Sequence, residues 1–392
     1  MDFSLSEAEL AFEKEVVAFL EANRSSDVMD ANPEHLSQTV ETPAKRAFMG
    51  KLAEQGWLGM SWPKEYGGQE RSGIYDFLLT EALSRFGAPQ PGKGVGIVGK
   101  TIIRHGNDEL KSYFLPRIIQ GEVEFAIGYS EPQAGSDAAS LQLKATRDEE
   151  RSGWVLAGHK IWTTSAHFAD WYWVGARTSD HKHKGITLFL VPMDHEGFDI
   201  HPTYTIGDER TNEVFFNDVF VPDSHVVGQV GEGWTYICEA LDLERFAMLP
   251  VGPVEMKLQG LIEYVREATF DGEPLAKDPV VRQTIAKLCA DLEVARKLQR
   301  KVISEALKDR VPTTEAAMYK MWQSQLGQRI ADAAIDLIGP DAQLKPGQDE
   351  APVGGRYERS YRYTVVDTIG GGTSEVQKNI IARRALGLPK NF

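Results

Sequence analysis

The sequence predicts an α+β chain in three parts, helical, then all-β, then helical again, because its texture changes twice. Apolar residues recur at helical spacing as far as Gly121, at a period of two from Glu122 to about Pro222, and at helical spacing again after Gly233. A chain of 392 residues has room for two or three packed units, at about 150 residues per domain. The expected domains run over residues 1–121, 122–232 and 233–392.

In the first part, Leu5, Ala8, Phe12, Val16 and Phe19 share one helical stripe, and Ser6 with Glu9 offers a capping box at its start. Trp57–Gly68 reads as a loop, broken by Pro63 and the Gly67–Gly68 pair. Helical spacing resumes through Leu78–Leu83 and Ile102–Ile119. The second part holds short β-branched and aromatic runs at Trp154–Gly158, Lys160–Thr164, Asp170–Ala176, Gly185–Val191 and Glu213–Val221. Turn residues separate them at Arg151–Gly153, His181–Gly185 and Gly207–Arg210, as in a small all-β domain. In the third part helices are expected over 234–268, 279–309 and 313–338, with a loop-like insert at Pro340–Gly355. A last helix follows Gly370–Gly372, with Ser374 and Gln377 as a second capping box.

Composition narrows the function classes. Hydrophobic residues at 42% and charged residues at 26% exclude a disordered chain, a collagen-like fibre and a disulfide scaffold. The net charge of −14 repels polyanions, so non-specific nucleic-acid binding is not expected, while a local basic patch for a phosphorylated ligand is allowed. Cys238 and Cys289 lie far apart without CxxC spacing, which gives no metal framework and suggests a reducing compartment. Apolar runs stay short of the ~18 residues that a membrane span needs, and the first residues show no secretory or transit pattern. A cytoplasmic protein is the expectation.

Three features invite a chemical reading. Gly94, Gly96 and Gly99 match GxGxxG, but they follow a turn-like stretch inside a helical region instead of a strand, so a tightly packed loop is expected there. His181-Lys-His-Lys184 sits between two strands and reads as a solvated hairpin rather than a metal tract. Glu244 shares an arc of about 60° with Ile237, Leu241 and Met248 at 100° per residue, while Glu239 and Asp242 fall off that arc. A carboxylate on an apolar face is either paired or carries a raised pKa, and the raised pKa suits a general base. A salt bridge to Arg245 or to a neighbouring helix is the structural alternative.

Four motifs then carry a resemblance. Tyr129-Ser-Glu-Pro-Gln-Ala-Gly-Ser-Asp137 is followed by Gly158-His-Lys-Ile-Trp-Thr-Thr164, and later come Leu241-Asp-Leu-Glu-Arg-Phe246 and Gly370-Gly-Gly-Thr-Ser-Glu-Val-Gln377. In this order they resemble the acyl-CoA dehydrogenase family over the whole chain. The resemblance implies an antiparallel middle sheet, a four-helix-bundle-like C-terminal domain, FAD as cofactor and an acyl-CoA thioester as substrate. It places Tyr129, Ser130, Trp162 and Thr164 along the flavin, and Gly135 and Ser136 where flavin and thioester meet. Thr373 and Glu375 match FAD contacts at the start of the last helix, where unpaired backbone N–H groups suit a diphosphate.

The family's reaction removes an α-proton with a carboxylate while the β-hydride passes to the flavin. Its base most often stands just before the Gly-Thr of the last motif, and here that position is Gly371. A minority of members place the base before an arginine of the earlier helix, which selects Glu244 and leaves Arg245 to orient the segment or to reach toward CoA. The Gly371 N–H can still polarise the thioester oxygen, a role that needs only backbone. Loss of a side chain at 371 would suit a branched, cyclic or bulky acyl group.

Two stretches depart from the family pattern: Arg266-Glu-Ala-Thr-Phe-Asp271, with residues 272–281 as an insert after it, and Asp336-Leu-Ile-Gly-Pro340. An acid beside a diphosphate is unfavourable unless the geometry has changed. The implied assembly is therefore a homodimer, a homotetramer or a heteromer with a related subunit, handing electrons to an electron-transferring flavoprotein. Two alternatives share the fold: a flavin-dependent monooxygenase, and a non-catalytic partner subunit.

Overall fold

The computed structural model describes residues 5–30, 34, 40–247, 250–306, 308 and 312–389, with the side chains of 241–247 outside the description. The first part is five helices: α1 (Glu7–Ala22), α2 (Pro43–Glu54), α3 (Gly73–Arg85), α4 (Gly99–His105) and α5 (Asp108–Ile119). The expected capping box opens α1, where Ser6 Oγ accepts from the Glu9 N–H and Glu9 Oε2 accepts from the Ser6 N–H. Phe12, Val16 and Leu20 recur every four residues and are buried, with Trp57 packed edge-on to Phe12 and Phe19.

The GxGxxG stretch corrects one expectation. Gly94–Val98 is not a loop but a π-helical turn that runs directly into α4. Its glycines serve packing, since a Cβ on Gly99 would stand 2.3 Å from the Trp62 ring, while one on Gly96 would meet nothing within 4 Å.

The middle part holds β1 (Phe125–Gly128), β2 (Lys144–Asp148), β3 (Gly153–Lys160), β4 (Trp171–Arg177), β5 (Ile186–Pro192), β6 (Phe198–Tyr204), β7 (Arg210–Pro222) and β8 (Val226–Val227). The sheet order is β6-β7-β3-β2-β4-β5-β8, with β1 added beside β4. Most pairs are antiparallel; β1 and β2 each meet β4 in parallel. Sequence reading missed β1, only four apolar residues long, and β2 and β6, whose charged, polar and proline residues blur the alternation. It also read Trp154–Gly158 and Lys160–Thr164 as two β runs: the first belongs to β3, which ends at Lys160, and Ile161–Thr164 leave the sheet. The hairpin at His181-Lys-His-Lys184 does connect two strands, and no metal-ligand cluster occurs among the described residues.

The third part comprises α6 (Gly233–Ala247), α7 (Gly252–Glu267), the small hairpin β9 (Thr269–Phe270) and β10 (Glu273–Pro274), α8 (Pro279–Ala306), α9 (Thr313–Ile338), α10 (Arg356–Asp367) and α11 (Ser374–Arg384). The single helix expected over 234–268 is two helices, because Pro250 and Pro253 each lack the N–H that a continuous ladder requires. Helices α7, α8 and α9 share an apolar core of Leu258, Leu261, Leu288, Leu292, Leu326 and Ile330. Helix α10 was not expected at all. The final capping box also shifts by one: Thr373, not Ser374, caps α11 by accepting from the Val376 N–H. Among the described residues no helix is long and apolar enough to cross a membrane.

Candidate functional site

At the end of β1 the chain enters the turn Tyr129–Asp137, which is held from beneath by a buried ion pair. Glu131 accepts from Lys160 Nζ at 2.7 Å and from the N–H groups of Gln142 and Leu143 at 2.5 and 2.8 Å. Both side chains are sealed, at 0% exposure for Lys160 and 2% for Glu131. Burial pushes the Lys160 ammonium down to about 8, against the opposing pull of the Glu131 carboxylate. The Ser130 carbonyl also accepts from the Ile161 N–H at 3.0 Å. The two motif segments are thus stapled together by Glu131 and Lys160, which sequence reading passed over. The signal was available as an acid in one motif and a lysine in the other.

Beyond Lys160 the backbone turns sharply. Trp162 takes a left-handed φ of +59°, a conformation costing about 1–2 kcal/mol for a residue with a Cβ. Thr163 anchors the turn: its hydroxyl lies 2.7 Å from the Tyr172 hydroxyl, and its backbone exchanges bonds with Asn212. With residue 163 locked inward, the Trp162 indole projects outward and is 58% exposed. A strained backbone presenting a large bare aromatic face fits a planar ring partner such as a flavin. Thr164 beside it is half-buried.

Tyr129 lies half-buried and accepts from Trp173 Nε1 at 2.7 Å. Gly135 and Ser136 are exposed at the tip of the turn, and a Cβ at 135 would meet nothing within 4 Å. The turn is braced from the hairpin side by Arg177, which donates to the carbonyls of Ala139, Leu141 and His181. Lys182 pairs with Asp137 at 2.8 Å.

The C-terminal element is the loop from Gly370 to Thr373. Gly371 and Gly372 are both left-handed, with φ of +66° and +92°. Lys320 Nζ donates to the Gly372 carbonyl at 2.7 Å, and Gln377 Nε2 donates to the Gly371 and Gly372 carbonyls at 3.2 and 3.1 Å. In a trans peptide the N–H points opposite to the C=O. Pinning these two carbonyls therefore turns the N–H groups of Gly372 and Thr373 away from Lys320 and Gln377, and neither finds an acceptor among the described residues. Ser374 Oγ and Gln377 Oε1 are buried without a hydrogen-bond partner among the described residues. Free N–H groups and orphaned polar atoms at the mouth of α11 fit an anionic or polar cofactor edge. At Gly371 itself, among the described residues, nothing beyond its two chain neighbours lies within 4 Å of where a Cβ would stand.

Helix α6 buries Tyr236, Ile237 and Ala240, and its periodicity puts position 244 in register with Ile237 and Ala240. The side chains of Glu244 and Arg245 lie outside the described residues. Glu239, off that register, is paired to His105 at 2.8 Å, as its place away from the apolar arc required.

The two halves of the site meet through β7. Asn212 on this strand holds Thr163, and the β6–β7 turn at its start is bound by α10, where Arg362 pairs with Asp208 at 2.7 Å and donates to the Ile206 carbonyl. The stretches that depart from the family pattern lie apart from this junction: Arg266 is exposed at the end of α7, Asp271 turns the β9–β10 hairpin at φ +50°, and Asp336 is exposed on α9.

Comparison with known proteins agrees with this architecture. The chain matches the acyl-CoA dehydrogenase N-terminal domain over residues 6–122, the middle domain over 126–219 and the C-terminal domain over 231–386. It is 34% identical over 354 residues to the acyl-CoA dehydrogenase FadE26 of Mycobacterium tuberculosis, covering 88% of each chain. It is also 34% identical over 368 residues to the acyl-CoA dehydrogenase IpdE1 of Mycolicibacterium smegmatis, covering 88% of each. Among solved structures it superposes on the Tcur3481-Tcur3483 steroid ACAD with a TM-score of 0.88 and 32% identity, covering all of both chains. For the ChsE4-ChsE5 complex from Mycobacterium tuberculosis the TM-score is 0.89 and the identity 31%, again over both full lengths. The chain belongs to the acyl-CoA dehydrogenase family, the flavin-dependent oxidoreductases of acyl-CoA thioesters.

Proposed function

We propose that this chain uses FAD to convert an acyl-CoA thioester into its trans-2-enoyl-CoA, with Glu244 taking the α-proton. The observation that carries the assignment is Gly371: the last motif has no carboxylate just before its Gly-Thr, and among the described residues nothing crowds that position. The base must then come from elsewhere, and the register of α6 with its buried Ile237 and Ala240 favours position 244. When bound, the flavin supplies the acceptor for the β-hydride at N5. The chain's own part is to hold the ligand, exclude water and receive the proton. The Gly371 N–H polarises the thioester oxygen, which makes the α-proton acidic enough to leave. Tyr129, Ser130, Trp162 and Thr164 line the flavin, Thr373 and Glu375 hold its diphosphate side, and Gly135, Ser136 and Arg245 meet the CoA arm.

The room at Gly371 supports a branched, cyclic or polycyclic acyl group, in keeping with the similarity to a protein described as a steroid ACAD. Electrons pass on to an electron-transferring flavoprotein. An exposed apolar stripe of Tyr361 and Val365 on α10 and Ile369 just after it, with Tyr204 and Ile206 also exposed, supports assembly with a second copy or a related subunit. We place the reaction in the cytoplasm, where the free thiols of Cys238 and Cys289 stay reduced.

Anaerobic titration with a panel of acyl-CoA thioesters, followed by flavin absorbance, tests the reading. Bleaching by bulky or cyclic thioesters is the expected result; faster bleaching by butyryl-CoA would end the substrate assignment. Glu244→Gln is expected to keep its flavin while bleaching at least about a thousandfold more slowly. A variant that keeps most of the rate removes Glu244 as the base.

A further inference from the structure

Lys93 immediately precedes the π-helical turn Gly94–Val98. It belongs to the N-terminal part, yet its ammonium reaches the middle part and donates to Ser165 Oγ at 2.5 Å. Ser165 follows directly on Thr164 and is sealed from solvent. Its carbonyl accepts from the N–H groups of Phe168 and Ala169 at 3.1 and 2.9 Å. The lysine therefore grips the downstream end of the turn that bares Trp162. Single π-helical turns gather at functional sites, and this one begins at the residue after the grip.

A lysine side chain is flexible, so it can fix a partner only if its own backbone is fixed. Both neighbours of Lys93 are pressed against other elements. A Cβ on Gly92 would stand 2.3 Å from Glu124 Oε2, and one on Gly94 would stand 3.1 Å from Ile118 and 3.2 Å from Phe125. Glu124 is buried and tied in turn, its N–H donating to Asp170 Oδ2 at 2.8 Å. Ile97 and Val98 bury the other end of the π turn. From this base the ammonium–hydroxyl bond is charge-assisted, about twice as strong as a neutral one.

The turn needs such a hold because its centre is strained, with Trp162 at φ +59°. Three contacts oppose its relaxation. Ile161 is bonded to the Ser130 carbonyl and Thr163 to Asn212, both within the middle part, whereas Ser165 is held from the N-terminal part. We propose that Lys93 is a positioning residue for the flavin, holding Ser165 so that Thr164 and the Trp162 indole stay at the spacing a planar ring requires. The inference rests on the flavin reading above and adds a second domain to it. The middle part builds the wall for the ring, and a cation from the helical part beside it keeps that wall in shape.

A bond between two domains could serve docking alone. Arg46 provides the comparison, since it also crosses from α2, pairing with Asp170 at 2.9 Å and donating to the Phe168 carbonyl at 3.1 Å. A docking role predicts the same consequences for loss of either cation. A positioning role predicts that only Lys93 matters to the flavin.

The test strips the flavin from the full-length protein and measures the Kd for added FAD, with urea unfolding of the same samples as a separate reading. Lys93→Met should raise that Kd about tenfold, as expected for a hydrogen bond to a charged group. Ser165→Ala should do the same, and the double variant should be no worse than either single one, because both remove one contact. Arg46→Met should lower the urea midpoint and leave the Kd within about twofold. If Lys93→Met does not fold, Ser165→Ala against Arg46→Met decides the question. An unchanged Kd in Ser165→Ala, additive losses in the double variant, or an equal loss in Arg46→Met overturns the proposal while leaving the flavin reading intact. A wild-type protein that binds no FAD overturns both.

Discussion

Replacing Asp367 by asparagine should stabilise the protein at pH 8 and leave it unchanged at pH 4. Folding raises this carboxyl from 3.8 to about 7, with burial as the largest cause. Between those values the folded chain holds a proton that the unfolded chain has released, so stability falls as pH climbs through the interval. Below it both states are protonated and nothing is lost. Above it both are ionised and the full penalty stands. Roughly three units at about 1.4 kcal/mol each give an upper figure near 4 kcal/mol, and the partial exposure of the side chain brings the expectation to about 2–4 kcal/mol. The attractions of Lys257 and Lys320 are already inside that net shift. Asparagine forfeits no hydrogen bond, because the aspartate makes none among the described residues. Urea midpoints of the two proteins measured from pH 4.5 to 8.5 give the answer. The curves should converge at the acid end and separate steadily up to about pH 7. A constant offset, or an asparagine variant that is the weaker one at pH 8, would falsify the account of a carboxyl buried without its own cation.

Lys160→Met should cost about 3–5 kcal/mol, since it strands the Glu131 carboxylate inside the β-domain. Calorimetry reads the loss, and flavin retained on gel filtration should fall with it because Ser130 and Ile161 share the same staple; a change under 1 kcal/mol contradicts this. Lys320→Met frees the Gly372 carbonyl and should slow flavin bleaching by about tenfold with little change in thioester affinity. A loss seen only in affinity argues against its hold on the loop. Gly99→Ala drives a Cβ against the Trp62 ring and should destabilise by about 3 kcal/mol, whereas Gly96→Ala meets open space and should be near neutral. Equal effects at the two glycines, read by thermal unfolding, would mean that packing is not what the motif serves.

Where the sequence was readable, a single physical cause acted alone. The box of Ser6 and Glu9 needs only local geometry, and it forms as expected. The strand at Asp170–Ala176 and the one at Gly185–Val191 pair with each other and are so thoroughly apolar that no other element could hold them. Reading failed where two causes competed. Lys160–Thr164 has strand composition, yet Lys160 is consumed by Glu131 and Thr163 by Tyr172 and Asn212, so the chain must turn at Trp162. That turn is what bares the indole, and the same event that spoiled the strand assignment made the site.

Helix α10 is the more instructive failure. Tyr361, Val365 and Ile369 form an apolar stripe at helical spacing, but on the face left bare in a single chain. The buried face carries Ser360, Tyr363, Thr364 and Asp367, which is polar enough to read as solvent-facing. Judged by hydrophobicity, inside and outside are exchanged: the segment has a helical period, but the period does not tell which face turns inward. Such an inversion is stable only if something else covers the apolar face and something polar meets the inner one. The assembly proposed above would meet the first requirement, and Lys257 and Lys320 offset part of the cost of the second. An acid turned inward at the end of α10, without a hydrogen bond among the described residues, is tolerated only at a cost that grows as pH rises, which is why the asparagine variant discriminates.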